Sequence, residues 1–242
     1  TFDSSEPYWR AFWVGLLNTL RVSVVGIAVC TILGTLIGVG RVSNNALARG
    51  MGYAYTELFR NVPVLLQLLI WYVLLVEFMP DSQSPLHFND WFYLSKNGIS
   101  FPIPVWDSSV NSLVWDVPLW LDGEITQGIS LTPEFLAITL GLSFYTSAFV
   151  AEVVRAGIVS VPRGQLEAAK SIGLSNWQTT RQVLLPQAMR VIIPPLTNQY
   201  LNLTKNSSLA VAIGYPDLVS ISNTALNQTG RAVECIALIM AV

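Results

Sequence analysis

The chain has 242 residues, of which 52% are hydrophobic and 12% charged, about half the charge of an ordinary soluble domain. Thirteen Lys and Arg against fifteen Asp and Glu give a formal net charge of −2, which leaves no basic field for gripping DNA or RNA. A water-soluble domain and a nucleic-acid partner are thereby excluded, and a single polytopic membrane domain over residues 1–242 is the better description.

Between residues 11 and 40 the one ionisable side chain is Arg21, and about 20 apolar residues suffice to cross a bilayer core. This is the first predicted span, with Gly34 and Gly38 as a small-xxx-small pair that lets a neighbouring helix approach. Residues 51–61 are more polar and suit the interface. Residues 62–79 form the second span, with Trp71 and Tyr72 as packing residues. The stretch 80–133 places Trp91, Trp106, Trp115 and Trp120 among prolines and glycines, the composition of a small folded cap or interfacial lid. Its His87 has no metal-binding partner at useful spacing and reads as a solvated loop residue, so no metal site is expected. The third span covers residues 135–154. The fourth covers 187–203, where Pro194 and Pro195 predict a break or kink.

Residues 207–231 alternate apolar patches with Gly214, Pro216 and many Asn, Ser and Thr, which predicts a partly re-entrant connection. Residues 232–242 are apolar but span roughly half the hydrocarbon thickness, so the sequence predicts a chain that stops inside a fifth span. Residues 1–10 lack an initiator Met and a signal-peptide pattern, and a fragment of a longer protein is expected. The predicted fold class is therefore all-α, with about five transmembrane helices. Cys30 and Cys235, in separate apolar stretches, read as small buried residues.

Loop charges set the expected orientation. Arg41, Arg49 and Arg60 flank the first connection, and Arg155, Arg163, Lys170, Arg181 and Arg190 crowd the third. The second holds Lys96 against Asp81, Asp90, Asp107, Asp116, Asp122 and Glu124. The basic connections are expected in the cytoplasm and residues 80–133 on the opposite side, as an extracytoplasmic insertion.

Polar residues at membrane depth are the candidates for a pathway, because unpaired polar and charged groups are heavily penalised in an apolar medium. Gln67 in the second span, Tyr145, Thr146 and Ser147 in the third, and Asn198, Gln199 and Asn202 in the fourth meet this description. Asn198 and Asn202 share one helix face just after the proline pair. Each of these side chains either touches a substrate or hydrogen-bonds helix to helix, and the residues alone leave both open. Glu152 and Arg155 are spaced to pair along one helix face and read as a structural ion pair. Lys205 and Arg60 lie near span ends, where snorkelling to the interface is the ordinary explanation. Arg21 and Glu77 raise the same question, and for Arg21 pairing with a neighbouring helix is the preferred reading. No second carboxylate, metal cluster or Ser/His/Asp arrangement accompanies Glu57 or Glu167, so catalysis by this chain is not expected.

The third connection, residues 161–186, carries the most information. Pro162 suits a first helical turn and Gly173 a left-handed C′ position, which predicts a short helix between them. Ser175 caps a second helix, with Gln178 as its capping-box partner, before Leu185-Pro186 starts the next span. Ala168 and Ala169 are small enough for this protruding elbow to dock closely into a groove of another protein.

Glu167-Ala168-Ala169, Gly173, and Val183-Leu184-Leu185-Pro186 together resemble the EAA loop of permease subunits of bacterial ABC importers, with Val183 where the family usually has Ile. The resemblance extends through Glu57-Leu58-Phe59-Arg60-Asn61-Val62-Pro63, Ala151-Glu152-Val153-Val154-Arg155-Ala156-Gly157-Ile158 and Lys205-Asn206-Ser207-Ser208-Leu209. These are similar to the polar amino acid uptake group, and within it to general L-amino-acid permeases with an enlarged outer segment. Similarity covers about residues 11–242, with residues 80–130 fitting only the subgroup.

The resemblance implies a MetI-like type I permease fold in a bacterial inner membrane, importing polar or acidic L-amino acids. It implies a coupling helix containing Glu167, Ala168, Ala169 and Gly173 that sits in a cleft of a cytoplasmic ATPase dimer. A second, similar or identical permease and an extracytoplasmic binding protein complete the expected assembly. ATP and Mg are expected on the ATPase, and this chain contains no G-x-x-x-x-G-K-[ST] stretch to cradle phosphates. An ion-gradient-driven carrier would share the midplane polar groups but has no need of a docking elbow. A non-transporting scaffold or receptor would need no polar face in the third and fourth spans.

Overall fold

The computed structural model describes residues 8–89, 91–107, 112–121, 124–229 and 232–240. Asp90, Asp122 and Arg231, together with residues 1–7 and 241–242, lie outside the described residues. Helix α1 runs Tyr8–Arg41, roughly 50 Å at 1.5 Å per residue. Helix α2, Ala46–Asn61, starts where the Asn45 side chain accepts hydrogen bonds from the amides of Leu47 and Ala48. It ends before Pro63, and α3, Val64–Phe78, leaves at 103° to it. The polar stretch before the second span is thus a helix lying across that span rather than extending it.

Helix α4, Pro133–Val159, is capped by the Thr132 side chain, with Pro133 in its first turn. Helix α5 covers Arg163–Ser171 and α6 Asn176–Thr179. A π-helical turn, Thr180–Leu184, joins α6 to α7, Leu185–Asn206. A 3₁₀ segment, Ser207–Ile213, then leads to α8, Leu218–Thr229, and α9, Ala232–Met240.

Helix α4 is the central post. Ala137, Ile138, Leu142, Val150 and Ala151 are fully buried, and α1, α2, α3 and α7 all pack against it. Helix α1 lies parallel to it, because Gly34 faces Val150 and Gly38 faces Val154 further along the same direction. A Cβ on Gly34 would stand 2.5 Å from the Val150 Cβ, and one on Gly38 would stand 2.7 Å from the Ala151 carbonyl oxygen. Gly34→Leu is therefore expected to force the two helices apart at an overpacking cost of about 1–3 kcal/mol, read as a lower Tm of the purified protein in detergent. Cys30 is buried in this interface region with a free thiol; the side chain of Cys235 is outside the described set.

Two helices among the described residues, α1 and α4, are long and apolar enough to cross a bilayer, and there are up to four spans if each bent helix pair counts as one. The C-terminal apolar stretch, expected to be part of a fifth span, forms α9, nine described residues. The fold is predominantly helical, and between α3 and α4 the expected cap is built of short antiparallel strands. Strands β1 (Leu86–Phe88), β2 (Phe92–Ser95), β3 (Gly98–Phe101) and β8 (Ile129–Leu131) make one sheet in the order β1-β2-β3-β8. Strands β4 (Ile103–Asp107) and β5 (Ser112–Asp116) form one hairpin, and β6 (Leu119–Leu121) and β7 (Glu124–Thr126) another. Trp91 meets Trp115 with centroids 5.8 Å apart, and the Trp120 Nε1 donates to the Ser82 carbonyl. His87 is exposed and touches Tyr93 edge-on.

The proline break expected in the fourth span is absent. Pro194 and Pro195 lie inside α7, which stays helical through them. The carbonyls that lose their helical donors belong to Arg190 and Val191, both exposed residues. The irregular turn falls upstream: Leu185 N donates to the Thr180 carbonyl, five residues back. That π turn absorbs Pro186, which has no amide hydrogen to give to an ordinary helical ladder.

Candidate functional site

The elbow is built as a two-part turn. At the end of α5, Gly173 N donates to the Lys170 carbonyl and Leu174 N to the Ala169 carbonyl, the paired bonds of a Schellman cap. Gly173 holds φ +90°, a left-handed conformation that a Cβ disfavours. Ser175 and Gln178 then exchange the two hydrogen bonds of a capping box at α6. Glu167, Ala168 and Ile172 are exposed, as is Trp177, so the elbow presents apolar side chains and a carboxylate among the exposed basic residues Arg163, Lys170 and Arg181. Ala169 departs from its expected place: it is 5% exposed and faces its own chain. Leu166 lies one turn before it and also packs inward, which leaves Glu167 and Ala168 on the outward side. The expected separate second helix is also corrected, since α6 continues through the π turn into α7.

Just before the elbow, at the end of α4, Glu152 is gripped from two sides. Its Oε1 accepts from Arg155 Nε at 3.0 Å and from Arg155 Nη2, while Oε2 accepts from Arg41 Nη1. The Arg155 contact is the i,i+3 pair expected of the sequence. Arg41, at the end of α1, is the partner that sequence spacing could not supply. Its guanidinium also sits 5.8 Å from the Tyr53 ring centroid, so one carboxylate ties α1, α2 and α4 together.

The seven pathway candidates fall into separate groups. Gln67 is 4% exposed, and its Nε2 donates to the carbonyls of Phe59 and Val62, both at 2.8 Å. That amide closes the end of α2 at the sharp bend into α3. Ser147 is buried, and its Oγ, the Tyr55 hydroxyl 2.7 Å away and the Phe144 carbonyl form one cluster in which the two hydroxyl protons serve two of the three close contacts at a time. Tyr145 is half-buried against Phe149, with centroids 5.0 Å apart, and Thr146 is buried. Gln67 and Ser147 thus bind helix to helix.

Asn198 and Asn202 differ. Both are exposed on α7, and Gln199 beside them is half-buried. With Thr197, Leu201 and Lys205 they form an exposed stripe, opposite the buried Ala188, Ile192 and Leu203. A helix that carries two carboxamides outward at membrane depth needs a polar surface or water on that side. Arg60 stacks 5.3 Å from the Phe149 ring centroid, and Glu57 Oε2 accepts from Asn61. Lys205 and Glu77 are exposed. Arg21 is exposed as well, and no described residue makes an ion pair with it; its expected pairing with a neighbouring helix is not found. No cluster of His, Cys, Asp or Glu among the described residues could hold a metal ion.

Comparison with known proteins places this architecture. The chain is similar to the protein named "Putative amino-acid ABC transporter permease protein YhdX" of Escherichia coli (strain K12). The two are 41% identical over 296 residues, covering 100% of this chain and 75% of that protein. It is also similar to "General L-amino acid transport system permease protein AapQ" of Rhizobium johnstonii, 39% identical with 98% of this chain and 73% of that protein covered. Among solved structures, a chain of an amino acid ABC transporter crystallised with histidines superposes with TM-score 0.67 at 26% identity, covering 97% of this chain and 86% of that one. A chain of the MetNI methionine ABC transporter shares the fold, with TM-score 0.61 at 19% identity over 98% of this chain and 90% of that one. Residues 30–242 match the family described as "Binding-protein-dependent transport system inner membrane component", and the chain belongs to that family.

Proposed function

We propose that this chain is a transmembrane subunit of an ATP-driven importer that moves polar or acidic L-amino acids across the inner membrane. The observation that carries the reading is its similarity along essentially its whole length to amino acid ABC permeases. The elbow adds a physical reason to prefer ATP over an ion gradient, since an ion-driven carrier has no use for an exposed docking helix. Hydrolysis belongs to a separate ATPase dimer that receives Glu167, Ala168 and the glycine-closed end of α5. The permease residues change shape and do no covalent chemistry.

In this reading the elbow and Arg41, Arg49 and Arg60 face the cytoplasm, and the stranded cap faces the opposite side, where the extracytoplasmic binding protein delivers substrate. The outward stripe of α7 faces a second permease subunit, similar or identical, and the pathway runs between the two. The decisive experiment is purification of the intact complex, mass identification of its subunits, and uptake into proteoliposomes. Uptake of L-glutamate or L-glutamine is expected to require enclosed ATP and to survive an ionophore. Uptake without ATP that collapses with the ion gradient would overturn the reading.

For the pathway, replacing Asn198 and Asn202 together with alanine is expected to lower uptake about tenfold, two polar contacts at roughly 0.5–1.5 kcal/mol each. Subunit stoichiometry should be unchanged, because both side chains are exposed in this chain. Unchanged uptake in a correctly assembled complex would remove these residues from the pathway.

A further inference from the structure

Away from the elbow, a groove of about 890 Å³ opens between α1, α8 and the start of α4, roofed by β8 and by Tyr215 and Pro216. Its volume is in the range of small-molecule sites. Its walls are mainly apolar, yet Arg21 and Glu134 both line it. Neither joins an ion pair among the described residues. Asn18 Nδ2 is occupied by the Pro216 carbonyl at 2.9 Å, and Thr224 Oγ1 donates to the Ser220 carbonyl. Arg21 is exposed beside the Tyr215 hydroxyl and Glu134 is half-buried in the first turn of α4, and each keeps its charged end without an ion-pair partner among the described residues.

Their heights match. Helices α1 and α4 are parallel, and Arg41 meets Glu152 near the elbow. Counting back along each helix at 1.5 Å per residue, Arg21 lies roughly 30 Å and Glu134 roughly 27 Å from that contact. That distance is about one hydrocarbon thickness. The unpaired guanidinium and the unpaired carboxylate therefore stand at the same level, on different walls of one groove, at the membrane boundary remote from the elbow. They are not close enough to neutralise each other, which leaves the pair suited to a ligand that carries both charges.

We propose that this groove is an outer site for a zwitterionic α-amino acid, with Arg21 taking the carboxylate and Glu134 the ammonium group while the apolar walls receive the side chain. A bidentate guanidinium contact suits a carboxylate. The inference rests on the importer reading and adds to it a receiving site distinct from the polar stripe of α7. The same charge pair occurs in a phosphatidylethanolamine head group, so the test separates lipid from substrate.

The test uses the assembled complex in proteoliposomes of defined lipid, with labelled L-glutamine as the transported probe. Unlabelled L-glutamine, its methyl ester and its N-acetyl derivative serve as competitors. Wild-type complex should favour L-glutamine over both derivatives. Arg21→Gln is expected to raise KM at least about tenfold, the loss of one charge-assisted contact, and to abolish discrimination against the methyl ester alone. Glu134→Gln should abolish discrimination against the N-acetyl derivative alone. Arg21→Lys, which keeps the charge, should recover part of the affinity.

Wild-type KM and intact discrimination in both assembled glutamine variants would overturn the proposal while leaving the importer reading standing. So would a defect that tracks phosphatidylethanolamine content with competitor selectivity unchanged, which assigns the groove to lipid. Failure of the wild-type complex to move any amino acid would instead sink the importer reading itself.

Discussion

Gly173→Pro is expected to leave the permease in the membrane and strip away its stimulation of the ATPase. Proline locks φ near −65°, whereas this residue holds +90° and donates its amide to the Lys170 carbonyl. The substitution therefore removes one bond of the Schellman cap and forbids the backbone conformation that the other requires. The chain between α5 and α6 must then leave α5 in a different direction, and Glu167, Ala168 and Ile172 no longer share one docking surface. The spans pack through α4 and carry none of this strain, so abundance in the membrane should be near normal. Stimulated ATP hydrolysis is expected to fall by about tenfold or more, equivalent to at least roughly 1.4 kcal/mol of lost coupling. Glu167→Arg tests the same surface by charge alone, because Glu167 is exposed and supports no described side-chain bond. Normal stimulation in both variants would show that the elbow does not meet the ATPase.

The second large effect is expected at Glu152. Glu152→Ala leaves Arg41 and Arg155 facing each other in a partly buried site, and the loss of about 3–5 kcal/mol typical of a fully buried pair is the upper bound here. Arg41 contributes most to that cost, since its side chain is 11% exposed against 35% for Arg155. The expected result is a markedly lower Tm in detergent. The double variant Glu152→Ala with Arg41→Met should recover a good part of it by removing the stranded charge. If the double variant is no more stable than the single one, the guanidinium was not the source of the loss. Glu152→Ala should also loosen α1 from α4 at the end nearest the elbow, which limited proteolysis of the connection between α1 and α2 can read.

The positions of α1, α3, α4 and α7 are legible in the sequence because long apolar runs admit few alternatives in lipid. The elbow is legible because capping residues act locally: Ser175 with Gln178, and Gly173 at the end of α5, declare themselves within a few positions. The stranded cap is harder, although Asn97-Gly98 between two apolar stretches is a strong hairpin signal. Ser95 pairs with Gly98, so Lys96-Asn97 make the turn and Gly98, at φ +115°, opens the next strand. Its strands are three to five residues long, too short for their alternation to stand out from a tryptophan-rich loop.

What sequence could not supply is the far partner. Arg41 is 111 positions from Glu152 and Tyr55 is 92 from Ser147, so a pairing visible in space has no local trace. Gln67 shows the opposite limit: a carboxamide within a span has the same composition whether it greets a passenger or, as here, closes the end of the preceding helix. The proline pair misleads for a related reason. A ring removes a donor without dictating a break, and α7 stays helical through Pro194 and Pro195.

The unbroken run from Asn176 through the π turn to Asn206 has a mechanical corollary. Thirty-one residues at 1.5 Å make a shaft of roughly 45 Å, with one end in the elbow and the carboxamides of Asn198 and Asn202 toward the other. A stiff shaft needs no relay of side chains to report what happens at its near end. A few degrees of tilt imposed there swings the far end by several ångströms, and a twist re-aims both carboxamides together. The extra residue wound into the π turn is the place where such a shaft would yield first.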